Sequence, residues 1–274
     1  MKRERLLAVN ADDFGYARDV NRGILDAHRQ GILTSTTLMA NGHAFDDAVA
    51  IAKSYPTLDV GVHFVLVGGR SLLSGEAHFP KTVAEFVRAL LARQIRVYDE
   101  LRAQIQRILN AGLQPTHLDT HKHTHLMPPV LDAVARLGEE FGVRWVRRPM
   151  DMPLSGSPER VPLTTRLVSS SVQILRRRFH RVLSARGCRT TDHFAGFQLT
   201  GRFHARDLTE LIRNLPVGST EFMCHPGYCT EELQNSPTRL KTSRESELAA
   251  LIDPQVRQAL GEAGVRLVSY RDLD

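Results

Sequence analysis

Short apolar runs rich in β-branched residues alternate with amphipathic stretches along almost the whole chain, and no other feature restricts the fold as much. "RLLAVNA", "ILTSTTLMAN", "LDVGVHFVL", "THLDTHKH", "VRWVRRP", "STEFMCHPG" and "VRLVSYRDL" read as strands. Between them, "VNRGILDAHRQG" closes on Gly31, "FDDAVAIAKSYP" stops at Pro56, and "PPVLDAVARLGEEFG" opens on Pro128 and Pro129, as helices do. "VAEFVRALLARQ" and "YDELRAQIQRILNAG" add two more helices after a Gly/Ser/Pro-rich loop at 68–80. Strand followed by helix throughout predicts a parallel sheet with helices outside. The first strand is not followed by G-x-G-x-x-G and no Walker lysine motif occurs, so a (β/α) barrel is expected rather than an open nucleotide-binding sheet. One domain over 1–274 is expected, with an insertion at about 150–200 that opens on a Pro/Ser/Gly-rich linker. Its helix carries Val168, Val172, Leu175, Phe179 and Val182 as an apolar stripe opposite the arginines.

A chain of 274 residues that is 42% hydrophobic and 24% charged has the balance of a globular protein with a large core. Much of the net charge of +6 sits in "RRRFHRVLSARG", which reads first as a solvated helix face and only secondarily as a nucleic-acid or anionic-membrane contact. Cys188, Cys224 and Cys229 cannot all pair. Cys224 and Cys229 flank "HPGY" like half of a zinc knuckle whose second half is absent, so three reduced thiols are expected. The apolar stretch after "MKRER" is too short for a signal peptide, and no apolar run approaches a membrane span. The expectation is a cytoplasmic protein.

Parallel α/β folds gather chemistry at the carboxyl ends of their strands. "VNADDFG" brings Asp12 and Asp13 there, where they repel each other unless a metal ion or an arginine holds them. The third strand supplies His63, and the fourth supplies His117, Asp119, His121, His123 and His125 in "THLDTHKHTHLMP". Arg147 and Arg148 follow the fifth, and His225 ends "STEFMCH". Alternation puts the fourth strand's acid and histidines on one side, although the strand ends before the last of them. Imidazoles need partners for their nitrogens, so this face is not an apolar core. Taken singly, each residue has a plainer reading: His63 as a satisfied core histidine, Arg147 or Arg148 in a surface salt bridge, His225 capping a turn.

Together they suggest a catalytic divalent site. One carboxylate with two neutral imidazoles leaves coordination positions open, and mixed N and O donors favour Zn²⁺ or another first-row ion over Mg²⁺. With Asp13 on the metal, Asp12 is left to act as a base toward water. Arg147 is the candidate cation that orients it, Arg148 pointing the other way in a regular strand, and His225, fixed by Pro226, is the candidate proton donor to a leaving group.

"NADDFG", "GILTSTTLM", "VGVHFVL", "PTHLDTHKHTH", "RRP", "TDHFAGF", "EFMCHPGY" and "LVSYRDL" resemble, in this order, the YdjC-type (ChbG/HpnK-like) carbohydrate deacetylases, which are related to NodB-like polysaccharide deacetylases. The resemblance implies a TIM-barrel-like fold with Asp12 as catalytic base, Asp13, His63 and His121 as ligands of one divalent metal ion, Arg147 orienting the base and His225 as general acid. His125 is the alternative third ligand if the strand curls. His123, Arg148 and His193 are further candidates for the site. The substrates implied are N-acetylated sugars, free as chitin-derived disaccharides or lipid-linked. A sugar isomerase or aldolase on a similar barrel, and a non-catalytic nucleic-acid- or membrane-binding protein, are the competing expectations. A homodimer and peripheral membrane contact are compatible with the basic helix, and nucleic acid is not an expected partner.

Overall fold

The computed structural model describes residues 4–75, 77–153 and 161–273, so 154–160 of the expected linker lie outside the described residues. Strand and helix alternate as β1 (Arg5–Phe14), α1 (Arg18–Gln30), β2 (Ser35–Leu38), α2 (Phe45–Ser54), β3 (Asp59–Phe64), α3 (Val83–Leu91), α4 (Val97–Asn110), β4 (His117–Thr120), α5 (Pro128–Phe141) and β5 (Trp145–Val146). Then come α6 (Leu163–Val172), α7 (Arg176–Ser184), β6 (His193–Ala195), α8 (Ala205–Arg213), β7 (Gly218–Cys224), α9 (Glu231–Gln234), α10 (Ser243–Ile252), α11 (Pro254–Ala263) and β8 (Val265–Leu267). Local chemistry sets several of these bounds. Thr82 and Glu85 form a capping box at α3, Pro128 opens α5, and Gly142 ends it in the left-handed conformation.

All described strand pairs are parallel, in the order β5-β4-β3-β2-β1-β7-β6. β1 serves two neighbours on one side: Asn10–Phe14 meet β2, while Arg5–Leu7 meet β8, which fills the space below. The sheet curls until its outer strands approach, and the gap is bridged without a regular ladder: Val146 N–H donates to the Arg189 carbonyl at 2.9 Å and Met152 N–H to Phe194 at 2.7 Å. The result is a distorted TIM-barrel-like fold with its core between sheet and helices.

Three expectations need correction. The last strand stops at Leu267, and Tyr270–Leu273 form a 3₁₀ turn because Asp59 accepts the Tyr270 N–H at 2.9 Å and the Tyr270 ring stacks on His117 at 3.9 Å. A strand, β6, arises inside the 150–200 segment, where only the insertion was expected. The apolar stripe on the basic helix is broken: Phe179 is buried and Val172 and Val182 half-buried, but Val168 and Leu175 face solvent.

Candidate active site

The strand ends place the polar residues, beginning with β1. Neighbouring strand residues ordinarily point to opposite faces. Here the β1–β2 register shifts between Ala11 and Phe14, and Asp13 takes a left-handed backbone (φ 68°), so Asp12 and Asp13 both turn into one buried cluster. Aspartate tolerates that conformation better than most side chains.

His63 and His121 arrive beside Asp13 from β3 and the end of β4. Asp13 Oδ1 lies 3.5 Å from His63 Nε2 and 3.2 Å from His121 Nδ1, and the two nitrogens are 3.3 Å apart. The other carboxylate oxygen is occupied: Arg244 on α10 donates to Asp13 Oδ2 at 2.5 Å. Oδ1 itself is buried and has no hydrogen-bond donor. A four-coordinate ion with bonds of about 2.0–2.1 Å separates its ligands by about 3.3 Å, so the N, N, O triangle fits a divalent cation of the zinc type.

His63 is oriented from behind. Its Nδ1 meets Asp119 Oδ1 at 2.6 Å, which fixes the tautomer with Nε2 toward the cluster, a carboxylate–imidazole relay familiar in metal sites. Burial opposes charging of this ring, but Asp119 and Asp12 outweigh it and lift His63 to about 10. A cation at Nε2 would take the place of that proton. Asp13 stays ionised: burial works against it, yet Arg244 and the two histidines hold it well below the usual carboxylate range.

Asp12 is held differently. Arg147 grips it in a fork, Nη1 to Oδ2 at 2.8 Å and Nη2 to Oδ1 at 2.6 Å, while also donating to Asp119 Oδ2 at 2.7 Å and, through Nε, to Glu221 at 2.7 Å. One buried guanidinium therefore joins three carboxylates. Within the neighbouring group of Asp12, His63 and Asp119 it already pairs with both carboxylates, so their charge is met without an ion. Burial nevertheless wins at Asp12, whose pKa is raised despite Arg147.

His225, following β7, faces Asp12 with Nε2 3.8 Å from Oδ2. Burial, reinforced by Arg244 and Arg147 against the pull of Asp13, pushes it down to about 3, so the ring is neutral at pH 7. Glu247 on α10 anchors the backbone at both sides of the pocket, accepting the N–H of His225 at 2.5 Å and of Gly201 at 2.6 Å.

The remaining sequence candidates lie elsewhere. The strand β4 stops at Thr120, and Lys122 and His123 both adopt left-handed backbone, so the expected one-sided row of histidines is broken. His125 turns to Thr120 Oγ1 at 2.6 Å and the Arg147 carbonyl at 3.0 Å, away from Asp13. His123 sits against the rings of Phe194 and Phe197. His117 is deeper in the barrel, bonded to Asn10 at 3.0 Å. Arg148 points away from the cluster and donates to the Asp192 carbonyl. His193 lines a cavity of about 610 Å³ beneath α6, with Nε2 3.2 Å from the Val217 carbonyl. Sequence reasoning missed Arg244, Glu247 and Glu221. The available signal was charge where apolar residues belong: Arg244 and Glu247 share a helix face with Leu248 and Leu251, and Glu221 interrupts an apolar strand.

Fold and cluster together define a class: α/β-barrel proteins whose strand ends hold an Asp-His-His donor set beside an arginine-clamped carboxylate. The sequence profile described as YdjC-like protein matches residues 6–262, and the chain belongs to that family. It is 36% identical to a carbohydrate deacetylase of Brevibacillus brevis over 97% of this chain and 99% of that one. Identity is 35% to a carbohydrate deacetylase of Geobacillus stearothermophilus, covering 98% of each. Among solved structures, a protein of Enterococcus faecalis V583 proposed to cleave cellobiose phosphate superposes with a TM-score of 0.76 at 25% identity, covering 98% of this chain and 99% of that one. Among the described residues, no helix is long and apolar enough to cross a membrane.

Proposed function

We propose that this chain is a metal-dependent carbohydrate N-deacetylase that hydrolyses the acetamide of an N-acetylglucosamine-type unit, carried on a chito-oligosaccharide or a glycolipid. The observation that carries the reading is the orphaned, buried Asp13 Oδ1 facing two imidazole nitrogens, with a second carboxylate clamped beside it but not part of the triangle. The names of the curated relatives supply the substrate class.

Asp13, His63 and His121 would hold the cation, with Zn²⁺ the best match and Mg²⁺ or another divalent ion the alternative. When bound, such an ion polarises the acetamide carbonyl and acidifies water. Asp12 takes the proton from the attacking water, a task helped by its raised pKa, while Arg147 keeps its oxygens in place. Arg244 leaves Asp13 a single free oxygen and so prevents it from competing as a base. The water oxygen bonds to the acetyl carbon, the C–N bond breaks, and the departing nitrogen needs a proton. His225, neutral at rest, accepts the proton collected by Asp12 and delivers it from Nε2 to that nitrogen, so free amine and acetate leave.

The test is acetate release from N-acetylated mono-, di- and lipid-linked sugars, with metal stripped and restored. Asp12→Asn is expected to retain metal but lose about 10²–10⁴-fold in turnover. Undiminished acetate release by that variant would remove Asp12 from the mechanism, and a rearranged sugar in place of acetate would point to isomerase or aldolase chemistry.

A further inference from the structure

In the helical insert between β5 and β6, α7 buries Phe179 and Leu183 in the ordinary way, but α6 and the turn after it have their polarity inside out. Along α6 the positions turned toward the protein are Thr165, Ser169 and Val172, of which only Ser169 is fully buried. The large aliphatics face solvent: Leu163 is 67% exposed, Leu167 59% and, in the 3₁₀ turn that follows, Ile174 84%. Spacing of four and seven residues puts these three along one side of a helical rod. Val168 and Leu175 widen the patch. Most of the exposed large hydrophobics of the described chain belong to this one segment, whereas scattered surface leucines need no explanation.

The charge of the segment is equally one-sided. Between Val161 and Gly187 there is no Asp or Glu; Arg166 and Arg176 border the cavity beneath α6, while Arg177, Arg178 and Arg181 are exposed and form no ion pair among the described residues. The next arginine, Arg186, is bound to Glu139 at 2.6 Å. Uncovered aliphatics flanked by unpaired arginines on one rod match the requirements of an anionic lipid interface, where the aliphatics enter the acyl boundary and the guanidinium groups meet phosphates. A second copy of the chain fits less well, because a two-fold contact through this helix would set its arginines against themselves. Nucleic acid fits less well too, since contacts to phosphates would use the arginines but leave Leu163, Leu167 and Ile174 uncovered.

We propose that α6, the turn at Gln173–Leu175 and the start of α7 dock this protein peripherally on an anionic membrane surface. The docked rod reaches the barrel through few contacts. Ser169 accepts from Gln198 at 3.2 Å, Gln173 donates to the Asp151 carbonyl at 3.0 Å, and Phe179 packs 5.8 Å from the His125 ring, which bonds the Arg147 carbonyl. Through these contacts the docked rod is tied to the strand end that carries Arg147. The inference does not depend on the deacetylase reading, because binding is measured without turnover.

The experiment is co-sedimentation of the full chain with vesicles of phosphatidylcholine alone and of phosphatidylcholine mixed with phosphatidylglycerol, at low and high salt. Binding is expected only to the mixed vesicles and to weaken as salt rises. Leu167→Glu with Ile174→Glu should reduce partition by about tenfold or more, and each removed arginine by about fivefold. These side chains are exposed, so the variants keep the wild-type melting temperature. Arg177→Glu with Arg178→Glu, on a different turn, provides an independent variant. Wild-type protein left in the supernatant with mixed vesicles, or variants that bind as well as wild type, would overturn the proposal. So would a wild-type dimer that the aliphatic variant converts to monomer with no change in vesicle binding, or a mobility shift with duplex DNA in place of vesicle binding.

Discussion

At the scale of single residues, the site is an exercise in dividing charge. Asp12, Asp119 and Glu221 share Arg147, and Asp13 has Arg244, so each of these four buried acids meets a guanidinium, while Glu247 is held by backbone N–H groups instead. Arg147→Lys replaces a three-way fork with a point charge, and we expect a loss of about 3–5 kcal/mol in urea unfolding, because at least one buried carboxylate is left unpaired. Stability equal to wild type would show that the fork is dispensable. His117 offers a separate check through pH. Burial pushes it down from 6.5 to about 4, so it stays neutral in the folded chain but charges in the unfolded chain below about pH 6.5. Its contribution is therefore present above pH 6.5 and lost as pH falls toward 4, about 3 kcal/mol in total. His117→Gln, although less stable at neutral pH, should lose less of its stability on acidification than wild type; parallel losses would refute the assignment. The sequence exposed the histidines and the acids Asp12, Asp13 and Asp119, but neither Glu221 nor their allotment. Nothing local distinguishes His121 from His125; two left-handed residues at 122 and 123 do that.

At the scale of elements, close backbone approach holds His225 in position. A Cβ on Gly23 of α1 would lie 2.4 Å from the Gly227 Cα, so this helix can rest on the "HPGY" loop only through glycine. Gly23→Ala should cost about 1–3 kcal/mol by overpacking and lower turnover by shifting His225. Gly261→Ala on α11, where a Cβ meets nothing, is the matched control and should gain about 0.5–1 kcal/mol. Thermal melts of the pair decide it: equal shifts would remove the packing argument. Helices with strong caps, such as α5 between Pro128 and Gly142, were legible from sequence because caps are local. The short strand β6 was not, because a run of three residues has no measurable period and exists only through its neighbours, whereas β5 and β8 lay inside longer runs that already read as strands.

For the whole molecule, the cation site links binding to folding. A divalent ion that binds only the assembled Asp13, His63 and His121 should stabilise the chain by about 2.7 kcal/mol at a free concentration one hundred times its dissociation constant. Adding Zn²⁺ to chelator-treated protein should then raise the melting temperature, and Asp13→Asn should abolish the rise; the same rise in that variant would place the ion elsewhere. The alternation of strands and helices, the supply of acids and histidines to the strand ends, and the family were all written in the sequence, since each depends on residue identity and short-range period. Only the tertiary structure decided that Arg147 spans three carboxylates at once, that Arg244 and Glu247 come from a distant helix to complete the pocket, and that α6 turns its leucines to solvent. Those outcomes depend on how elements dock over long stretches of chain, and a pattern with a period of two or four residues carries no information at that range.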